Sequence, residues 1–192
     1  MPRAYHRERP SSPGRLRPPV GRPGLAAKLS LVVVCGIDPG LERTGYAVVR
    51  DERRRRHVVD AGIITSRPRQ ELARRLVEIG EGVRQVFSEH RPTVVAVEEL
   101  FTHYRHPRTA VLMAHARGVI LQAAAELGIA VRHFSATQVK KSLTGNGRAG
   151  KQQVQRAIAV TLGLAAPPEP ADVADALAVA LCALTRREQV GT

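Results

Sequence analysis

Residues 31–50 read LVVVCGIDPGLERTGYAVVR, and this stretch decides the fold. The run from Leu31 to Ile37 is apolar without interruption, the mark of a strand buried on both faces. Asp38-Pro39-Gly40 stops it, because proline has no N–H to give a neighbouring strand and glycine permits positive φ. An extended pattern resumes at Gly45–Arg50 (GYAVVR) and again at Val58–Thr65 (VVDAGIIT). Connections this short carry no crossover, so the first three strands are expected to form an antiparallel meander. The Arg53–Arg56 run then falls at a hairpin tip, where a run of charge is expected to be solvated.

Beyond the meander, Leu72, Leu76, Ile79, Val83 and Phe87 recur every three or four residues, which predicts an amphipathic helix over 69–90. Thr93–Val97 (TVVAV) reads as a second buried strand, ending at Glu98-Glu99. A helix over 107–127, a strand over Ile129–His133 and a short helix around Val139–Leu143 follow. The glycine-rich loop Thr144–Gly150 leads into a helix from Lys151 to Leu162. A proline-rich link (Pro167, Pro168, Pro170) precedes the last helix, from Asp172 to about Arg187. A meander followed by βαβ units is a mixed, five-stranded α/β sheet flanked by helices. One domain is expected over 31–188, with residues 1–30 a disordered basic extension and 189–192 a tail.

The chain has 192 residues, enough for one sizeable core, and 43% of them are hydrophobic. Its formal charge of +13 points to a polyanion, with nucleic acid the leading candidate. Only 3% are aromatic and none is Trp, which argues against a stacking groove as the main device. Residues 1–30 hold seven of the 30 Lys+Arg against one acid, Glu8, so the remainder keeps a net charge of +7. That stretch reads as a dispensable extension rather than a phosphate-binding arm. Cys35 and Cys182 sit in apolar surroundings and read as small core residues, consistent with a reducing, cytoplasmic setting. No apolar run reaches the length of a membrane span.

The minority charge is the informative one. Asp38 ends one buried strand and Glu98 another, and ligands of open α/β sheets gather beyond strand carboxyl ends. Asp172 and Asp175 are spaced i, i+3 at the start of a helix whose continuation, ALAVALCAL (176–184), is apolar nearly all round and must be buried. Asp172 also suits an N-cap, whereas a second carboxylate beside the core asks for a counter-charge. Four carboxylates on one site repel one another unless cations neutralise them. Hard oxygen donors with no His/Cys spacing call for Mg²⁺ or Mn²⁺, and two such ions serve phosphodiester hydrolysis. A basic surface around an acidic centre is the pattern of a metal-dependent nuclease.

Four segments, GIDPGLERTGYAVV (36–49), VAVEELF (95–101), ATQVKKSLTGNGRAGKQQV (136–154) and DVADALAVA (172–180), resemble the signature segments of RuvC-type Holliday junction resolvases, in order and spacing. The resemblance spans about residues 32–187. It implies an RNase H-like fold, a homodimer, and Mg²⁺-dependent paired nicking of four-way DNA junctions, with branch-migration proteins (RuvA–RuvB) as partners. The family's acidic residues match Asp38, Glu98, Asp172 and Asp175; Glu99, one residue on, faces the other side of its strand and is left out. Phe101 matches an aromatic that stacks on junction bases. Lys140 and Lys151 match lysines that approach the scissile phosphate, Lys151 also standing at a helix N-terminus suited to phosphate. Arg105, Arg108 and Arg148 are added as backbone contacts. Helix 107–127 carries a second small-residue face that a two-fold partner would bury.

Three alternatives compete. A nuclease of the same fold acting on structured RNA, of the pre-16S rRNA type, lacks the Lys140–Lys151 segment and the VEELF block. An actin-like phosphotransferase needs a second phosphate hairpin and a longer chain. A non-catalytic nucleic-acid-binding module leaves the separated acidic elements without a purpose.

Overall fold

The computed structural model describes residues 31–100 and 107–190. β1 (Val32–Asp38), β2 (Arg43–Glu52) and β3 (Arg55–Thr65) form the expected antiparallel meander. α1 (Leu72–His90) crosses to β4 (Val94–Glu98), and α2 (Pro107–Glu126) crosses to β5 (Ala130–Phe134). The chain then runs through α3 (Ala136–Thr144), α4 (Lys151–Leu162) and α5 (Ala171–Val190). The sheet order is β3-β2-β1-β4-β5, with β1, β4 and β5 parallel. This is the mixed five-stranded sheet that the sequence predicts. No helix among the described residues is long and apolar enough to cross a membrane.

Strand alternation divides the core in two. Val32 and Val34 of β1, Ala47 and Val49 of β2, and Ala96 of β4 face α3, α4 and α5. Val33, Cys35 and Ile37, with Val95 and Val97, face α1 and α2. Each face therefore takes every second residue, as a pleated strand requires. The first face has an unusually low floor. A Cβ on Gly36 would collide with the carbonyl of Ala176 and stand 2.6 Å from the Ala180 nitrogen. One on Gly45 would collide with the carbonyl of Asp172. Gly36 lies opposite Ala47, and Asp38 opposite Gly45. With side chains this small beneath it, α5 rests its own backbone on the sheet. Ala174 and every residue from Ala176 to Leu184 are buried there, as the all-round apolar sequence demands. Cys35 and Cys182 are free and buried, the small core residues expected.

Some boundaries differ from expectation. β1 and β4 each end one residue later, so Asp38 and Glu98 are the terminal strand residues. α1 begins at Leu72, not 69, because Arg67–Gln70 closes a turn first (Gln70 N–H to Arg67 O, 3.1 Å). α5 starts at Ala171, which places Asp172 inside the first turn and not at the N-cap. It runs to Val190, into the segment read as a tail. Phe101, Arg105 and the extension 1–30 lie outside the described residues.

Candidate active site

β1 and β4 are adjacent and parallel, so Asp38 and Glu98 leave the sheet at the same edge. Both belong to the alternation that faces α5: Asp38 follows Gly36, and Glu98 follows Ala96. Glu99 has the opposite parity and is exposed, as expected. α5 brings the other two carboxylates to this edge, because its first turn sits over Gly45, opposite Asp38 in the β1–β2 ladder. The contact made possible by a missing side chain thus positions the acidic residues. Glu98, Lys140, Lys151 and Asp175 line a cleft of about 270 Å³, with Ala136, Val139, Val154 and Ala178 as its apolar wall. Asp38 and Asp172 stand beside it.

The electrostatics show how crowded the edge is. Asp38 is pushed up to about 7, first by burial and then by Asp175, Glu98 and Asp172, with Lys151 opposing. Glu98 is raised by burial and Asp175 and lowered by Lys140. Asp175 is raised by burial and Asp172, against the pull of Lys151 and Lys140. Two lysines therefore offset only part of the repulsion among four carboxylates. Among the described residues no three groups stand close enough together to grip one ion as they are. The donor chemistry nevertheless suits a hard divalent cation: clustered carboxylate oxygens, partly buried, with more negative charge than the lysines answer.

Each cation has a structural reason for its place. Ser135 caps α3 with a complete capping box: Ser135 Oγ accepts from Gln138 N–H (3.3 Å) and Gln138 Oε1 accepts from Ser135 N–H (2.9 Å). This fixes the helix that carries Lys140. Lys151 is the first residue of α4, after Gly150, and its Nζ is 3.9 Å from Asp175 Oδ2. That is the counter-charge the second carboxylate was expected to need. Arg108, at the start of α2, and Arg148, in the α3–α4 loop, are exposed and do not line the cleft.

Two arginines at the site were not picked out from the sequence. Arg43 Nε and a terminal guanidinium nitrogen both lie 3.0 Å from Asp172 Oδ2, joining β2 to α5. Arg117 of α2 donates to the carbonyl of Glu98 (3.3 Å) and contacts His133 Nδ1 (2.7 Å), tying down the end of β4 from the other face. Neither pairing has a local signal, since the partners are 129 and 19 residues apart.

Comparison with known proteins places this arrangement. The family model of crossover junction endodeoxyribonuclease RuvC matches residues 34–183. The chain belongs to the RuvC family. A RuvC protein from Rhodopirellula baltica is 52% identical over 161 residues, covering 84% of this chain and 88% of that protein. One from Corynebacterium glutamicum is 43% identical over 78% of this chain and 67% of that protein. The structure of Thermus thermophilus RuvC in complex with a Holliday junction substrate superposes with a TM-score of 0.78. It is 34% identical, and the match covers 83% of this chain and 96% of that one. The yeast mitochondrial resolvase Ydc2, at 11% identity and a TM-score of 0.62, shares the fold. The RNase H-like architecture is therefore that of the RuvC family, whose members are metal-dependent nucleases.

Proposed function

We propose that this chain is a crossover junction endodeoxyribonuclease that resolves four-way DNA junctions by paired symmetric nicks, as a homodimer in the cytoplasm. The observation that carries the reading is the gathering of four carboxylates from three separate elements: Glu98 and Asp175 line a cleft with Lys140 and Lys151, and Asp38 and Asp172 stand beside it. Asp38, Glu98 and Asp175, with Asp172 beside them, would hold Mg²⁺, two ions to a site, with Mn²⁺ able to substitute. When bound, the ions supply an activated water and neutralise charge on the phosphodiester.

The chain's own groups do the rest. Carboxylates fixed at strand ends and on a helix seated on glycine cost little reorganisation when substrate arrives. Lys151, at a helix N-terminus, and Lys140 offset the negative charge of the phosphate under attack. Phe101 is assigned to stacking on junction bases, and Arg105, Arg108 and Arg148 to the backbone. The exposed side of α2, with Val111, Ala114, Gly118 and Ala125, is assigned to the two-fold partner. Branch-migration proteins of the RuvA–RuvB type are the expected companions.

Incubating the protein with a synthetic four-way junction, a linear duplex and an RNA hairpin tests this. Symmetric nicking of the junction alone, lost on chelation, is expected. Equal cutting of all three, or cutting that survives chelation, rejects it. Asp38→Asn should lower nicking by at least about 100-fold while junction binding persists.

A further inference from the structure

Topology places a second basic surface at the end of the sheet opposite the cleft. The β2–β3 hairpin pairs with the start of β1 (Val32 with Asp51), whereas the carboxylates gather at its finish. α1 ends at His90 on the same side as the hairpin, because β4, parallel to β1, begins there. Seven residues of β1 at about 3.3 Å each separate this pole from Asp38 by roughly 20 Å.

Three residues at this pole have positive φ: Arg53 (53°), Arg54 (66°) and Arg91 (46°). Among the described residues they are the only non-glycine residues that do. Glu52 pairs with Arg55, so Arg53 and Arg54 are the two central residues of the hairpin turn. Positive φ at both is the geometry that Asn-Gly fills most readily. Arg91 is the left-handed C-cap of α1, a place for glycine. At the C-caps of α3 and α4 the chain does use glycine, Gly145 and Gly163. All three arginines are exposed, so they fill no core. Arginine therefore stands where the backbone disfavours any side chain, and what it brings is charge. Asp51 is answered by Arg56 (3.5 Å) and by the Arg54 N–H (2.9 Å). A hollow of about 520 Å³ lined by Glu52, Arg53, Arg55 and His57 opens beside the turn.

We propose that this pole is a second contact for the DNA phosphate backbone, holding a duplex arm about 20 Å from the carboxylate cleft. The proposal rests on the reading of the chain as a junction nuclease: DNA held in the cleft supplies the arm. Exposed guanidinium groups bind phosphate oxygens through charge-assisted hydrogen bonds and release counterions as they do so.

The test is the triple variant Arg53→Asn, Arg54→Gly, Arg91→Gly, which gives each position the residue its backbone prefers. Its thermal midpoint should equal or exceed that of the wild type. On a junction with arms of about 20 base pairs, without divalent cations, affinity should fall roughly tenfold. The slope of log K against log salt should flatten by up to about three. Arms of about four base pairs, roughly 14 Å long at 3.4 Å per step and so short of the pole, should show no difference. Nicking at saturating substrate should be unchanged, and arginine-to-lysine replacements at the three positions should retain binding. Unchanged affinity and slope on long arms overturn the proposal, as does an equal loss on both arm lengths. Loss of an acidic protein partner with DNA binding intact also counts against it. A wild-type protein that neither binds nor nicks junctions removes the functional reading itself, a result distinct from failure of the variant.

Discussion

Asp38 closes β1 with its carboxyl crowded by burial and by Asp175, Glu98 and Asp172, which lifts it from 3.8 to about 7. Between those values the folded chain holds a proton that the unfolded chain gives up. The contribution to stability is therefore complete below about pH 4 and lost as pH rises through 7. Asp38→Asn carries no charge at any pH. Without divalent cations, the variant should match the wild type near pH 4 and exceed it at pH 8 by at most about 4 kcal/mol. Chemical denaturation at the two pH values measures this; a gap independent of pH contradicts it. Added Mg²⁺ should stabilise the wild type more than the variant. Asp38 and Glu98 were legible as residues because each directly follows an unbroken apolar run, Leu31–Ile37 and Val94–Val97. Arg43 and Arg117 were not, because an arginine in a basic chain looks like any other until its partner is known.

The seat of α5 is a contact between a helix backbone and two glycines, so it tolerates no added atoms. Gly36→Ala places a methyl against the Ala176 carbonyl and should cost about 1–3 kcal/mol in urea denaturation. Nicking should fall as well, since the same helix carries Asp172 and Asp175. A stable, fully active Gly36→Ala protein would show that α5 is not held at that height. For α3, Ser135→Ala removes half of a capping box and should cost about 1 kcal/mol. The elements themselves were readable from their apolar patterns: β1 and α5 are continuous apolar runs buried all round, whereas α1 buries one regular face. Asp172 suits an N-cap as well as a site carboxylate by sequence; in the structure it lies inside the first turn of α5, where Arg43 engages it.

At the level of the whole molecule, α2 presents Ala116, Ile120, Ala123 and Ala124 to the core and leaves Val111, Ala114 and Gly118 uncovered. A Cβ on Gly118 meets nothing within 4 Å, so a side chain there does not disturb the protomer. Gly118→Arg should convert a dimer to a monomer in analytical ultracentrifugation. Coordinated paired nicks should become isolated single nicks, with the protomer's unfolding midpoint not lowered. A variant that sediments as a dimer would place the partner on another face.

Order along the chain, strand and helix identity, the sidedness of Glu98 against Glu99, and the candidate acids were all determined locally. They depend on alternation, on helical spacing and on residues such as proline and glycine that act on their own backbone. The convergence of the acids, the attachment of Arg43 to Asp172 and of Arg117 to the end of β4, and the gathering of three strained arginines at the far pole required the packed sheet. Those features arise between residues distant in sequence. They appear once Gly36 and Gly45 let α5 down onto the strands and the parallel pairing of β1 with β4 gives the sheet one acidic edge and one basic edge.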